Sequence, residues 1–194
     1  MERNSLNQRR RSQTRLEIAT AALALFVRHG YDAVGLDAVA EEAGVSLRTL
    51  YRYFPTKDEL LSPIVATGTA RLADRLAERP AGEPLVEAVE RAYDTSSICA
   101  GPENVHVLID LLITVPALRA RWLDDLRTVE EALAPVIQDR AHGDLDEDQA
   151  RCTAAVIVTA LRLVLERSAR PGSNLSLSAE LGHTLHYLRA GAHL

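Results

Sequence analysis

At 194 residues and 47% hydrophobic, the chain exceeds a single small bundle and can bury two cores, one domain of about 50 residues and one of about 130. Its net charge of −5 would argue against nucleic acid if it were spread evenly, but residues 1–57 hold nine Lys or Arg against six Asp or Glu, so positive charge gathers at the N-terminal end. Cys99 and Cys152 exclude a disulfide framework or a cysteine metal site and read as buried thiols, and with no early apolar segment and no run near the roughly 18 apolar residues of a membrane span, a cytoplasmic protein without a membrane partner is expected.

Residues 1–11 carry Arg3, Arg9, Arg10 and Arg11 among Asn, Gln and Ser. Such a composition has no core of its own and predicts a flexible basic tail, which either follows a minor groove or phosphates or is merely solvated. From about Ser12 to His29, Ile18, Ala22, Leu25 and Phe26 recur at helical spacing until Gly30 closes the helix. Val39, Ala40 and Ala43 give a shorter stripe between Leu36 and Ala43, with Gly35 or Asp37 left to cap it.

Ala43-Gly44-Val45-Ser46 then reads as the tight turn of a helix-turn-helix. Ser46 can cap the next helix, and Pro55 disfavours helical backbone at Phe54, so this helix is limited to about two turns. Leu50 and Phe54 point inward together, leaving Arg48, Thr49, Arg52 and Tyr53 on other faces. Eight residues span roughly 12 Å, about the width of a major groove.

Thr56 and Glu59 match a T-x-x-E capping box, which predicts a fourth helix running through Leu60, Leu61, Ile64, Val65, Leu72 and Leu76. Pro63 falls inside that helix and predicts a kink, read either as a hinge or as a static bend. Further helices are predicted at about 84–97, 103–113, 116–141, 146–168 and 176–191, with Pro135 bending the longest. The fold class is therefore all-α, about nine helices, with a helix-turn-helix domain at 12–57 and a second helical domain at 58–194.

Residues 154–161 are apolar on every side of their helix and must be covered all round. Val156, Ala160 and Leu163 there, with Leu181, Leu185 and Leu188 on the last helix, are candidates for a dimer interface, the alternative being an ordinary monomer core. The second domain holds only three aromatics, Tyr93, Trp122 and Tyr187, so a cavity in it would be mainly aliphatic. Tyr93 and Trp122 with His106, Asp110 and Arg119 are the candidate contacts for a small apolar effector. His183 and His186 lack a neighbouring carboxylate or cysteine pattern, so no metal is expected. No phosphate-binding glycine loop, H-E-x-x-H or G-x-S-x-G occurs, so neither catalysis nor a cofactor is expected.

Phe26-Val27-Arg28-His29-Gly30-Tyr31, Val39-Ala40-Glu41-Glu42-Ala43-Gly44-Val45-Ser46 and Leu50-Tyr51-Arg52-Tyr53-Phe54-Pro55-Thr56-Lys57 together resemble the DNA-binding domain of TetR-family transcriptional regulators. The resemblance covers about residues 12–65. It implies a homodimer with an N-terminal DNA-binding domain and a C-terminal ligand-binding and dimerisation domain, its fourth helix passing ligand-driven movement to the DNA-binding head. Gly35 stands where the family commonly has a threonine. By position in the motif, Arg48 and Thr49 are candidates for base edges, Tyr51 for base or backbone, and Ser46, Tyr53 and Lys57 for phosphates, with Arg52 beside them. The expected function is a repressor released from a near-palindromic double-stranded operator by a small apolar effector. The alternatives are an activator, or a helical small-molecule-binding protein without operator affinity.

Overall fold

Apolar spacing of three and four residues becomes helix throughout the computed structural model, which describes residues 2–93, 102–170 and 176–190. Among them are nine α-helices and no strand. Helix α1 spans Glu2–His29, so residues 2–11, set apart in the sequence as a tail, continue the helix instead. No Gly or Pro interrupts that stretch, and once the following turns exist each added residue gains a hydrogen bond without a new nucleation cost. Ile18, Ala19, Ala22 and Phe26 of α1 are buried. Gly30, at φ +81, ends the helix, its N–H donating to the Phe26 carbonyl at 2.9 Å.

Helix α2, Leu36–Glu42, is entered through Gly35 without a side-chain cap. A Cβ on Gly35 would stand 2.2 Å from Asp37 Oδ1, so the missing side chain leaves room for a carboxylate at the positive end of α2. Gly44, at φ +65, makes the turn, and Ser46 Oγ accepts from the Thr49 N–H at 3.1 Å to start α3, Leu47–Tyr53. Leu50 and Phe54 are fully buried beneath α3, as their spacing predicts.

The start of the fourth helix differs from expectation. Thr56 and Glu59 form no capping box; Asp58–Leu61 is a 3-10 turn preceded by Lys57, and α4 runs over Ser62–Glu78. Pro63 therefore sits in the first turn of α4, where its missing N–H costs nothing, and the mid-helix kink does not arise. The chain continues as α5 (Leu85–Ala92), α6 (Pro102–Thr114), α7 (Pro116–Arg140), α8 (Glu147–Ser168) and α9 (Leu177–Arg189). Helix α7 remains helical through Pro135. Asp146 and Gln149 form a reciprocal capping box at the head of α8. Cys152 is exposed rather than buried, because it lies on the outer side of α8; Cys99 falls outside the described residues.

Helix α7 packs on α8, α4 and α6, while α9 lies on α8 and α5. Helix α4 joins the two parts of the chain, touching α1 at one end and α7 along its length. The turn after α4 is clamped from the far end of α7. Arg140 donates from Nη1 to the carbonyls of Leu76 (3.2 Å) and Arg79 (2.8 Å), and from Nη2 to those of Pro80 and Glu83 (both 3.1 Å).

The Glu83 carboxylate, 8% exposed, accepts from Arg79 Nε at 2.7 Å and Arg79 Nη2 at 2.8 Å, and from Arg91. The Arg79 hydrogen bonds, then that from Arg91, hold the Glu83 carboxyl down to about 2. A carboxylate with a lowered folded-state pKa stabilises the fold above its unfolded value, and that stabilisation is lost as pH falls from about 4.5 toward 2. The gap in thermal midpoint between wild type and Glu83→Gln is therefore expected to be widest at pH 6 and to close on acidification. A gap unchanged at pH 2.5 would contradict the assignment.

Candidate nucleic-acid interface and apolar cavity

Burial of Leu50 and Phe54 fixes which side of α3 faces outward. Ser46, Arg48, Tyr51 and Arg52 are exposed, Tyr51 at 50%, and Thr49 and Tyr53 are half-buried. The Thr49 hydroxyl lies 2.9 Å from Ser46 Oγ, so the residue expected to meet a base edge also braces the cap. Arg52 and Arg11 flank the Tyr53 ring at 5.3 and 6.0 Å from its centroid, and Arg15 stacks over Phe54 at 4.9 Å. Helix α1 thus brings its own basic residues alongside α3. These contacts add Arg11 to the outward surface, which spacing within the motif alone did not indicate.

Lys57 sits differently from a free phosphate contact. Its ammonium donates to the Tyr31 carbonyl, lies 4.1 Å from the Tyr31 ring centroid and 5.7 Å from that of Phe26, and is half-buried. Partial burial lowers its pKa from the usual lysine value, with Asp32 opposing the shift. Burial, then Asp58 and Asp32, raises the Tyr31 hydroxyl. Lys57 fastens the chain after α3 to the turn after α1.

Arg48→Ala and Lys57→Ala are accordingly expected to differ in kind. Losing Arg48 removes a candidate base contact worth about 1–3 kcal/mol, relaxes base choice and leaves thermal stability unchanged. Losing Lys57 weakens binding to all sequences alike and lowers the thermal midpoint. Fluorescence anisotropy on a selected duplex and its base-substituted variants, with thermal unfolding alongside, distinguishes the two.

Along the first half of α4 lies an apolar cavity of about 80 Å³, walled by Val65, Gly68, Thr69 and Leu72 of α4, Leu108 and Leu112 of α6, Trp122 and Leu126 of α7, and Leu161 of α8. Tyr93 and Trp122 are both buried and line it. His106, Asp110 and Arg119 do not. His106 and Asp110 are exposed because Val105, Leu108, Ile109 and Leu112 claim the inner side of α6, and Arg119 is exposed and paired with Glu166 at 3.1 Å.

The candidate interface residues separate by burial. Val156 (47%), Leu163 (43%) and Leu188 (44%) are large hydrophobics left exposed, whereas Ala160, Leu181 and Leu185 are buried within the chain itself. Helices α8 and α9 therefore use one side for the protomer's core and present the other outward. Tyr187 extends the exposed set. His186 approaches Glu87 at 3.9 Å and His183 is exposed. Among the described residues no group of three His, Cys, Asp or Glu could hold a metal ion, and no helix is long and apolar enough to cross a membrane.

The family model of bacterial regulatory proteins, tetR family, matches residues 18–64, from inside α1 to the start of α4. The HTH-type transcriptional regulator TcmR of Streptomyces glaucescens is 34% identical over 152 residues, covering 74% of this chain and 67% of that protein. The HTH-type transcriptional repressor KstR of Rhodococcus jostii is 32% identical over 160 residues, covering 70% and 73%. Among solved structures, the fatty acid degradation regulator FadR from Bacillus halodurans superposes with a TM-score of 0.61 at 18% identity, covering 93% of this chain and 96% of that one, which shows a shared fold. With a capped helix-turn-helix, a helical C-terminal domain enclosing an apolar cavity, and relatives matched over most of their length, this chain belongs to the TetR family of DNA-binding transcriptional regulators.

Proposed function

We propose that the protein is a homodimeric repressor that holds a near-palindromic operator and releases it when a small apolar effector enters the cavity beside Trp122. The observation that carries this reading is the course of α4 and the 3-10 turn before it. Leu60, Leu61 and Ile64 are buried at the end that meets α1, while Val65, Gly68, Thr69 and Leu72 form the cavity wall one to three turns later. A ligand that displaces this wall acts on the rod that carries the reading head.

The cavity, at about 80 Å³, is well below the roughly 300 Å³ at which ligand pockets usually begin. An effector must therefore dilate it, and only a differential affinity for the dilated state can shift the head. Two heads related by a two-fold axis reach half-sites about 34 Å apart, which is why the operator is expected to be near-palindromic. Repression then follows from occupying promoter DNA; the KstR relative is itself named a transcriptional repressor.

The test is a titration of apolar compounds against the fluorescence of Trp122, the only tryptophan, with release of a selected duplex followed in parallel. Quenching and release with the same midpoint are expected. Quenching without release would overturn the coupling, and release without quenching would place the effector elsewhere.

A further inference from the structure

Helix α1 is longer than the helix-turn-helix core requires. Ile18, Ala19, Ala22 and Phe26 supply its buried side, whereas Thr14 to Leu16 are half-buried and Arg9 to Gln13 are exposed, so the helix leaves the body of the head near Thr14. The residues from Glu2 to Gln13 add about 18 Å at 1.5 Å per residue. This arm precedes the residues 18–64 that the family model matches.

The exposed turns of the arm are basic. Arg9, Arg10 and Arg11 follow one another, and no Asp or Glu occurs between Arg3 and Leu16. Glu17, the next carboxylate, accepts from Gln13 Nε2 at 3.0 Å. Among the described residues no carboxylate pairs with Arg9, Arg10, Arg11 or Arg52; Arg28, which does pair, meets Glu42 at 2.8 Å at the opposite end of α1.

Arg11 shows which way the arm lies. Its guanidinium sits 6.0 Å from the centroid of the Tyr53 ring, Arg52 sits 5.3 Å from the same ring, and one turn on Arg15 stacks over Phe54 at 4.9 Å. A ring between two guanidiniums holds them without neutralising either. Tyr53 is the last residue of α3, so the arm runs beside the C-terminal end of that helix. In a helix-turn-helix the first residues of the recognition helix meet base edges, which leaves cations at its other end for the phosphate strand. Successive residues turn by about 100° around a helix axis, so Arg10 lies about 100° from Arg11 while Arg9, about 160° from it, points away.

We infer that Arg10 and Arg11 give each head a second, rigid contact with the operator, on phosphates just outside the bases that α3 reads. This rests on the operator reading above and extends it to the flanking duplex. An arm that is already helical loses little backbone freedom on docking, and each phosphate it neutralises releases counterions.

The test uses the full chain and a duplex that it selects from a random library, followed by anisotropy at several salt concentrations. Arg10→Gln and Arg11→Gln are each expected to weaken all base variants of that duplex alike. Each is also expected to flatten the slope of log affinity against log salt by about two, one contact from each head of a dimer. Arg9→Gln is expected to change the slope by less than half as much, and Arg11→Lys to restore it, since an ammonium keeps the charge. Replacing the flanking phosphates one at a time by uncharged methylphosphonates then locates the contact. One such replacement is expected to cost wild type about ten-fold in affinity and to cost Arg11→Gln nothing.

An unchanged slope in both glutamine variants would overturn the arm, because no contact was lost. An equal change from Arg9→Gln would also overturn it, because net charge alone would account for the effect. So would a methylphosphonate loss that Arg11→Gln suffers in full. In all three cases wild type still holds its duplex and the reading of α3 stands. If wild type selects no duplex at all, the operator reading falls and the arm falls with it.

Discussion

Val156→Asp/Leu163→Asp is expected to yield a folded monomer whose affinity for its operator falls by about two to four orders of magnitude. Both side chains are already exposed in the single chain, so charging them costs the protomer little, within about 0.5 kcal/mol per site. Across a two-fold interface each carboxylate would meet apolar surface or its own symmetry mate without a compensating cation, which a packed contact does not tolerate. The seven-residue spacing puts both positions on one side of α8, two turns apart, and Val156 shares a surface hollow with Leu188 of α9. Light scattering reads the mass and anisotropy reads the affinity. A dimer that persists with unaltered DNA binding would remove α8 and α9 from the interface.

Arg140→Ala is the substitution expected to cost the fold most, at about 2–3 kcal/mol, or on the order of 5–10 °C in thermal midpoint for a chain of this size. Four carbonyls from Leu76 to Glu83 converge on one guanidinium, and water replaces those bonds only in part because the site is half-buried. The Leu76 carbonyl belongs to the last turn of α4, where its other hydrogen bond is only a 3.3 Å one from the Arg79 N–H and a cation is favoured. Arg140→Lys should recover only a minor share, since an ammonium keeps the charge but not the planar fork. Chemical denaturation reads the loss, and a midpoint unchanged in the alanine variant would show that the turn holds without the clamp.

Local chemistry made the reading head legible. Gly44, Ser46, Leu50, Phe54 and Pro55 each act within a few residues of themselves, and the structure returns the turn, the cap, the inward pair and the stop. The same locality misled at Thr56 and Glu59, a pattern that fits a cap and makes none. There the consecutive leucines Leu60 and Leu61 are both buried, and the chain takes a 3-10 turn before α4 begins.

Polar residues in the second domain were harder to read because their partners are distant in sequence. Arg140 reaches carbonyls 57 to 64 residues away, which no spacing rule anticipates. His106 and Asp110 are another matter: Val105, Leu108, Ile109 and Leu112 recur at helical spacing, and that stripe would have assigned the two polar residues to the opposite side of α6. For Val156 and Leu163, hydrophobicity indicated a covered helix but not which side its own chain covers.

The walls of the chamber beside Trp122 come from five helices and share no residue with the outward side of α3. If the proposed effector enters that chamber, inducer range and promoter address can drift apart during descent. Under the proposed function, trimming Leu112 or Leu126 by a few carbons would re-size the chamber and leave Arg48 and Tyr51 on the outward side of α3 untouched, and exchanging α3 would redirect the switch without altering what trips it.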